Sequence, residues 1–195
     1  MSAGEQKLRL FVALPVPAEV KKVLAETQGE LRKLLPGASA SWTHPDRMHL
    51  TLRFLGDVEP TRVEALTSSL SAAVKDFGSI ELIAERPGCF PDARRPRVVW
   101  IGVHDGAQRL TELQRRIVCA TAAFTQEPED RQFTGHITLA RVKQIQRPHT
   151  KAIASFMEGM ANRQFGAWTA AKVELVRSEL SATGSRYTCV TEFPL

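Results

Sequence analysis

The chain has 195 residues, of which 43% are hydrophobic and 24% are charged, and its formal net charge is +5. These values are typical of a globular protein, and they exclude a disordered, collagen-like or disulfide-dense chain. The excess of Lys and Arg favours an anionic partner, either nucleic acid or a phosphate ester.

No apolar run approaches the ~20 residues that span a bilayer, and the N-terminal apolar stretch ends at Pro15 without the features of a signal peptide. We therefore expect no membrane partner. The three cysteines are far apart in sequence and form no C-x-x-C pair, so we expect free thiols. Free thiols are typical of a reducing compartment, and we predict a cytoplasmic protein.

The first half of the chain predicts alternating strands and helices. Apolar residues followed by Pro15 predict a strand, and the next segment has the three- and four-residue apolar spacing of an amphipathic helix. The predicted elements are a strand over 8–14, a helix over 18–35, a loop that contains Trp42, a strand that begins at His49 and a helix over 59–78.

The second half predicts a similar series of elements. Strands over 79–88 and 96–103 are expected to pair as a hairpin. The remaining predicted elements are a helix over 106–124, a strand that begins at His136, a helix over 149–162, and two final strands over 168–180 and 185–195. Adjacent hairpins exclude a purely parallel sheet, so the order predicts an α+β fold with antiparallel pairs and two nearly self-similar halves.

One short pattern occurs twice, as HLTLRFLG at 49–56 and as HITLARV at 136–142. Side chains alternate between the two faces of a strand. The first copy therefore places His49, Thr51 and Arg53 on one face, and Phe54 on the apolar face opposite. The second copy places His136 and Thr138 on one face. Strict alternation turns Arg141 away from that face, unless the strand ends or bulges before it.

Two imidazoles and two hydroxyls suit the cleavage of a phosphodiester by water. Because an imidazole has a pKa near 6.5, one can act as a base while the other acts as an acid. The threonine hydroxyls can bind the non-bridging phosphate oxygens. The sequence contains no Gly-rich phosphate loop and no clustered metal ligands, so we expect neither a metal nor another cofactor.

Several other residues have weaker functional interpretations. The remaining histidines lie in predicted loops or at a helix start and are interpreted as solvated: His44, His104 and His149. The arginines of 92–97 form either a solvated turn or a contact for the RNA backbone. Phe133 either packs in the interior or stacks on a base.

These motifs resemble those of the 2H phosphoesterase superfamily, and within it those of the bacterial and archaeal RNA 2',3'-cyclic phosphodiesterases, also called 2'-5' RNA ligases. The resemblance extends from LRLFVALPVP near the start, through Trp42, both histidine motifs and RVVWIGV, to ELVRSEL and the downstream Tyr187. It implies one bilobal domain over 1–195, with two pseudo-symmetric lobes of mainly antiparallel sheet, helices outside and a central cleft, the LigT-like fold.

The resemblance also implies a reaction and residue roles. The reaction is metal-independent hydrolysis of a terminal 2',3'-cyclic phosphate of RNA to a 2'-phosphate. His49 is then the proton donor to the departing 3' oxygen, and His136 is the proton acceptor that activates water. The residues expected to bind the phosphate are Thr51, Thr138, Arg53 and Arg141.

One position departs from the family pattern, since Gly135 stands where the family usually has Pro before the second histidine. Glycine frees the backbone, so we expect a looser start to the second motif. Two alternatives to hydrolysis remain open: ligation of tRNA halves through 2'-5' bonds by the same site, and a nucleotide-binding module without turnover. We expect a monomer.

Overall fold

The structure is a computed structural model, which describes residues 6–127, 132–181 and 184–195. Regular elements within these ranges follow the order β1 (Leu8–Pro15), α1 (Ala18–Lys33), β2 (Ser39–Trp42), β3 (His49–Val58), α2 (Val63–Val74), β4 (Ile80–Phe90), β5 (Val98–His104), α3 (Arg109–Thr121), β6 (His136–Gln144), α4 (Arg147–Gly159), β7 (Gln164–Ala170), β8 (Lys172–Ser181) and β9 (Gly184–Pro194). Single 3-10 turns precede β3 and α2, and one follows α3.

The strands form two sheets in which every pair is antiparallel. One sheet has the order β3-β1-β8-β9, and the other has the order β2-β6-β5-β4-β7. Each sheet contains one histidine-motif strand, β3 in the first and β6 in the second. The α+β prediction and the predicted hairpin of β4 with β5 are confirmed.

Two helices connect the sheets by crossing between them. Helix α1 follows β1 of the first sheet but packs on β6 and β7 of the second. Helix α3 follows β5 of the second sheet but packs on β3 of the first. This reciprocal exchange ties the two halves of the chain together, and it brings β3 and β6 into direct contact.

The C-terminal part of the fold differs from the prediction. The segment predicted as one strand over 168–180 belongs to two strands, because the chain leaves the second sheet after Ala170 and joins the first at Lys172. The segment predicted as a loop around Trp42 contains the short edge strand β2. Four residues on a sheet edge carry too few alternating positions to produce a recognisable strand pattern.

The histidine-motif strands are anchored by their aliphatic residues. Leu50, Ile137 and Leu139 are completely buried in the main hydrophobic core, which spans both sheets. Burying a side chain of this size stabilises a fold by about 1.5–3 kcal/mol. Helix α1 adds buried residues at helical spacing, namely Val20, Leu24, Thr27 and Leu31. In the described part of the chain, no helix is both long and apolar enough to cross a membrane.

Candidate active site

His49 is the first residue of β3 and lies two residues after a 3-10 turn that ends at Arg47. Its Nδ1 lies 2.7 Å from the carbonyl oxygen of Arg47. Because a carbonyl can only accept a hydrogen bond, Nδ1 carries the hydrogen and donates it. This bond fixes the tautomer of the neutral ring, and it leaves Nε2 as the nitrogen available for a substrate.

His136 repeats this arrangement at the start of β6. Its Nδ1 donates to the carbonyl oxygen of Thr134 at 2.8 Å, again two residues earlier in the chain. Each motif therefore holds its imidazole by the same local hydrogen bond. The two strands present the same ring nitrogen to the space between the sheets.

Both histidines and both motif threonines line one cleft with a volume of about 470 Å³. The cleft therefore brings together the four residues on which the sequence argument depended. Its lining is basic, since it contains three arginines and, among the described residues, the single acid Glu127. The three arginines are Arg9, Arg47 and Arg141, and the aromatic Tyr187 also lines the cleft.

A β-bulge in β6 brings Arg141 into this cleft. Against β5, Ala140 pairs with Val99 and Thr138 pairs with Trp100, so Leu139 has no partner across the ladder. The unpaired residue shifts the alternation by one position. Leu139 and Ala140 are both buried as a result, and the exposed Arg141 points to the same side as His136.

A second bulge, at the equivalent position of β3, overturns the expected orientations of Arg53 and Phe54. Thr51 pairs with Ala13 and Arg53 pairs with Val12, so Leu52 is the unpaired residue. Beyond this bulge Arg53 turns inward and is 5% exposed, while Phe54 is 53% exposed and lines the cleft. Phe54 thus stands five residues after His49, as Arg141 stands five residues after His136.

The predicted position of Arg53 beside His49 is therefore wrong. Its Nη2 donates to the carbonyl oxygen of Glu127 at 2.8 Å, and Arg53 is absent from the lining of the cleft. This bond joins β3 to the segment that contains Glu127, and Arg53 lines the groove beside the cleft. Strict alternation failed here because it ignored the bulge.

Burial lowers the pKa of both cleft histidines. Burial is the main cause that lowers the pKa of His49 to about 4, and the hydrogen bond to Arg47 opposes it. The positive charge of Lys21, and to a lesser degree that of Arg141, lowers this pKa further. The pKa of His136 is lowered by burial, and to a lesser degree by Arg141, against the raising effect of Thr134. Both imidazoles are thus neutral near pH 7 in the free protein.

Aromatic rings surround each imidazole. The ring of His49 lies 4.7 Å from that of Phe11 and 5.3 Å from that of Tyr187, measured between centroids. The ring of His136 lies 5.0 Å from Phe90 and 5.9 Å from Trp100. These rings exclude water from the sides of the imidazoles, which explains why burial dominates their pKa values.

Gly135 packs closely against β5, so the expected looser start of the second motif is wrong. Its carbonyl oxygen accepts a hydrogen bond from the backbone N–H of Val103 at 2.8 Å. A Cβ at this position would lie 2.4 Å from the carbonyl oxygen of Val103 and 3.0 Å from Leu110. The glycine permits the two backbones to approach closely. Alanine and proline both carry a Cβ, which would prevent this approach.

The other singled-out residues lie outside the cleft lining. His44 pairs with Asp46, His104 pairs with Glu85, and His149 lies 3.0 Å from the carbonyl oxygen of Pro36. The 92–97 segment is a turn in which Asp92 accepts backbone hydrogen bonds. Its Arg97, together with Phe133, lines a second groove beside the cleft.

Among the described ranges, one group of side chains has metal-ligand geometry, formed by Glu174, Cys189 and Glu192 on β8 and β9. The ammonium of Lys172 already contacts both carboxylates, at 3.2 and 2.5 Å. None of these four residues lines the cleft.

The sequence did not reveal the cleft residues Arg9 and Arg47, because neither belongs to the repeated motif.

Comparison with known proteins gives a consistent result. The family model described as LigT like Phosphoesterase matches residues 14–100 and again residues 101–187, one histidine motif in each match. An RNA 2',3'-cyclic phosphodiesterase of Aquifex aeolicus is 30% identical over 189 residues, which cover 96% of this chain and 97% of the relative. A protein of that name from Thermotoga maritima is 34% identical over 136 residues, 70% of this chain and 71% of the relative.

Solved structures resemble the fold over nearly the whole chain. A crystal structure from Thermus thermophilus has a TM-score of 0.78 and 27% identity, and it covers 96% of this chain and 98% of that one. E. coli LigT complexed with 3'-AMP has a TM-score of 0.76 and 23% identity, with coverage of 97% and 99%. At that identity the second likeness shows the fold alone.

Proposed function

Because the chain belongs to the LigT-like phosphoesterase family, we propose that it hydrolyses 2',3'-cyclic phosphate ends of RNA to 2'-phosphates, with His49 and His136 as the acid and base. The observation that carries this proposal is the pair of equivalent imidazoles in one cleft, each with Nδ1 bonded to a carbonyl and a threonine two residues further on. We further infer that 1–195 acts as a single bilobal domain, and we expect a monomer.

In the proposed reaction, His136 accepts a proton at Nε2 from a water molecule, and the water oxygen forms a bond to phosphorus. The bond from phosphorus to the 3' oxygen breaks, and His49, in the imidazolium form that the bound phosphate anion stabilises, donates its Nε2 proton to that oxygen. The product is a 2'-phosphate with a free 3'-hydroxyl. His136 then releases a proton to solvent and His49 takes one up from solvent, which restores the starting state.

Three cleft residues are proposed to stabilise the charge that moves onto the phosphate. Thr51 and Thr138 line the cleft together with the imidazoles, and their hydroxyls can donate to the non-bridging oxygens. In the described ranges, Arg141 has no carboxylate or carbonyl partner within bonding distance, so its guanidinium is available to the phosphate. Arg53 is not assigned this role, since it is buried.

The groove beside the cleft has suitable chemistry for the RNA strand. It has a volume of about 820 Å³ and shares Phe54, His136 and Arg141 with the cleft. Aromatic and arginine side chains line it, and these are the residue types that stack on bases and bind phosphates. We propose that one nucleoside of the RNA lies there, against Phe54 and Phe133.

The experiment that tests this function is a product analysis. An oligoribonucleotide with a 2',3'-cyclic phosphate end should be converted to a 2'-phosphate, and turnover should persist in EDTA because two imidazoles perform the proton transfers. Adding an RNA with a 5'-hydroxyl end tests the alternative, since ligation would yield a 2'-5' linked product. Tight nucleotide binding without conversion would contradict the proposal and favour a binding module.

The pH dependence of the reaction should follow the lowered pKa values. In the free protein His49 is protonated only near and below pH 4, while His136 is neutral above a pKa that is itself below 6.5. Because the two groups act together, kcat/KM should be bell-shaped with an optimum below pH 6.5. A bound phosphate anion stabilises both imidazolium forms, so the optimum of kcat should lie at higher pH.

Steady-state kinetics with the same oligonucleotide from pH 4 to 9 would measure both profiles. Coincident optima of kcat/KM and kcat above pH 7 would contradict the assignment, because they would mean that burial does not govern the free imidazoles.

A further inference from the structure

The bulged residue Leu139 is unpaired against β5, but its backbone is hydrogen-bonded on the other side of β6, where Thr43 continues the line of β2. The Leu139 carbonyl oxygen accepts a hydrogen bond from the backbone N–H of Thr43 at 2.9 Å and a second from Nε2 of Gln28 at 2.8 Å. The same Nε2 donates to the carbonyl oxygen of Thr43 at 2.8 Å. Gln28 therefore joins the bulged residue of β6 to the segment that precedes the first histidine motif.

Gln28 reaches this position from helix α1, which crosses from one sheet to the other. It lies 111 residues before Leu139 in the chain. Both of its partners are carbonyl oxygens, so only the amide nitrogen, with its two hydrogens, satisfies them together. A glutamate at this position would direct a carboxylate at two acceptors.

The bulge determines where Arg141 points. A regular β6 would pair Leu139 with β5 and return the following residues to strict alternation, which turns Arg141 away from His136. A bulge loses regular hydrogen bonds between strands, so it is stable where other groups form hydrogen bonds with the backbone of the bulged residue. Gln28 and Thr43 both donate hydrogen bonds to the carbonyl oxygen of the bulged residue.

We propose that Gln28 is a positioning residue, which holds the bulge at Leu139 and thereby aims Arg141 at the substrate phosphate. This inference rests on the proposed function, and it deepens it by assigning a role to a side chain outside the cleft. Gln28 itself does not line the cleft. Its effect on the reaction therefore passes through Arg141.

The principal variant is Gln28→Met, which keeps the length and flexibility of the side chain and removes the donor. Loss of two partly buried hydrogen bonds should lower kcat/KM for a cyclic-phosphate oligonucleotide by about tenfold. The inhibition constant of inorganic phosphate should rise in Gln28→Met and in Arg141→Ala alike. Gln28→Glu should lower kcat/KM further than Gln28→Met, because its carboxylate repels the two carbonyl oxygens.

A double-mutant cycle separates positioning from general stability. In an Arg141→Ala background, Gln28→Met should change kcat/KM by less than about twofold, since the group that it positions is gone. The matched control is Thr27→Val on the same helix, where a completely buried hydroxyl donates only to Val23 of α1. This control loses a buried hydrogen bond within α1 and keeps the Gln28 amide, so it should keep the parental kcat/KM.

Each result has a definite meaning. Parental activity and phosphate inhibition in Gln28→Met would overturn the inference, as would a loss that multiplies fully with that of Arg141→Ala. A neutral Arg141→Ala would overturn it too, while leaving the proposed function intact, because the cleft histidines test that function separately. Thermal unfolding of all variants confirms that they are compared in the folded state.

Discussion

Replacing either cleft histidine by alanine is expected to lower kcat for a cyclic-phosphate oligonucleotide by about 10²–10⁴-fold, the usual contribution of a positioned general acid or base. His49 and His136 are held by equivalent hydrogen bonds in one cleft, so neither can replace the other in its position. The fold should survive, because the core residues of both strands face away from the cleft. Single-turnover kinetics would measure the loss.

A matched control is His104→Ala, which removes an imidazole that pairs with Glu85 outside the cleft lining. Its kcat should stay within about twofold of the parent, because the contact is partly exposed and lies outside the cleft lining. Near-parental kcat in either cleft variant would contradict the two-histidine mechanism.

The two histidines can also be distinguished by the leaving group. An aryl phosphodiester with a nitrophenolate leaving group needs no proton donor, so His49→Ala should lose much less activity on it than on the RNA substrate. His136→Ala should lose activity on both substrates, since each requires an activated water. The reverse result would exchange the roles of donor and acceptor.

The second large effect is expected at Gly135, where restoring the proline that the family usually carries should be harmful in this chain. A Cβ there would lie 2.4 Å from the backbone oxygen of Val103, and backbone cannot move aside as a flexible side chain can. Overpacking of this kind costs about 1–3 kcal/mol, and the displaced segment leads directly into His136. Gly135→Pro and Gly135→Ala should both lower the free energy of unfolding, and kcat with it.

Chemical denaturation measures the first effect and the oligonucleotide assay measures the second. Gly106→Ala is the matched control, because no atom lies within 4 Å of a Cβ placed at Gly106. It should leave both quantities near the parental values. A Gly135→Pro variant as stable and active as the parent would show that β5 and β6 separate more easily than their packing indicates.

The repeated motif was sufficient to predict four residues that line one cleft, because its information is local. His49 with Thr51, and His136 with Thr138, are separated by two residues, and two residues is the period of a strand. Strand alternation therefore assigned all four to cleft faces, and the aliphatic residues between them to the core, without knowledge of the rest of the fold. Helices α1 to α4 were predictable for a similar reason, since apolar spacing within one helix is a local property.

Alternation became unreliable three residues after each histidine. Leu52 and Leu139 are bulged, so Arg53 turns inward, Phe54 turns outward and Arg141 joins the cleft. A bulge depends on what the neighbouring strand and more distant groups offer to the backbone, and these partners are remote in sequence.

The sequence by itself determined the class of fold, the two imidazoles and the two hydroxyls, because period and residue type suffice for these. Only the tertiary structure decided which motif arginine lines the cleft, how closely Gly135 packs and which carbonyl oxygens Gln28 contacts. Those features depend on contacts between strands and helices that lie far apart in the chain. Gln28 and Leu139 are 111 residues apart, and no local pattern records that they meet.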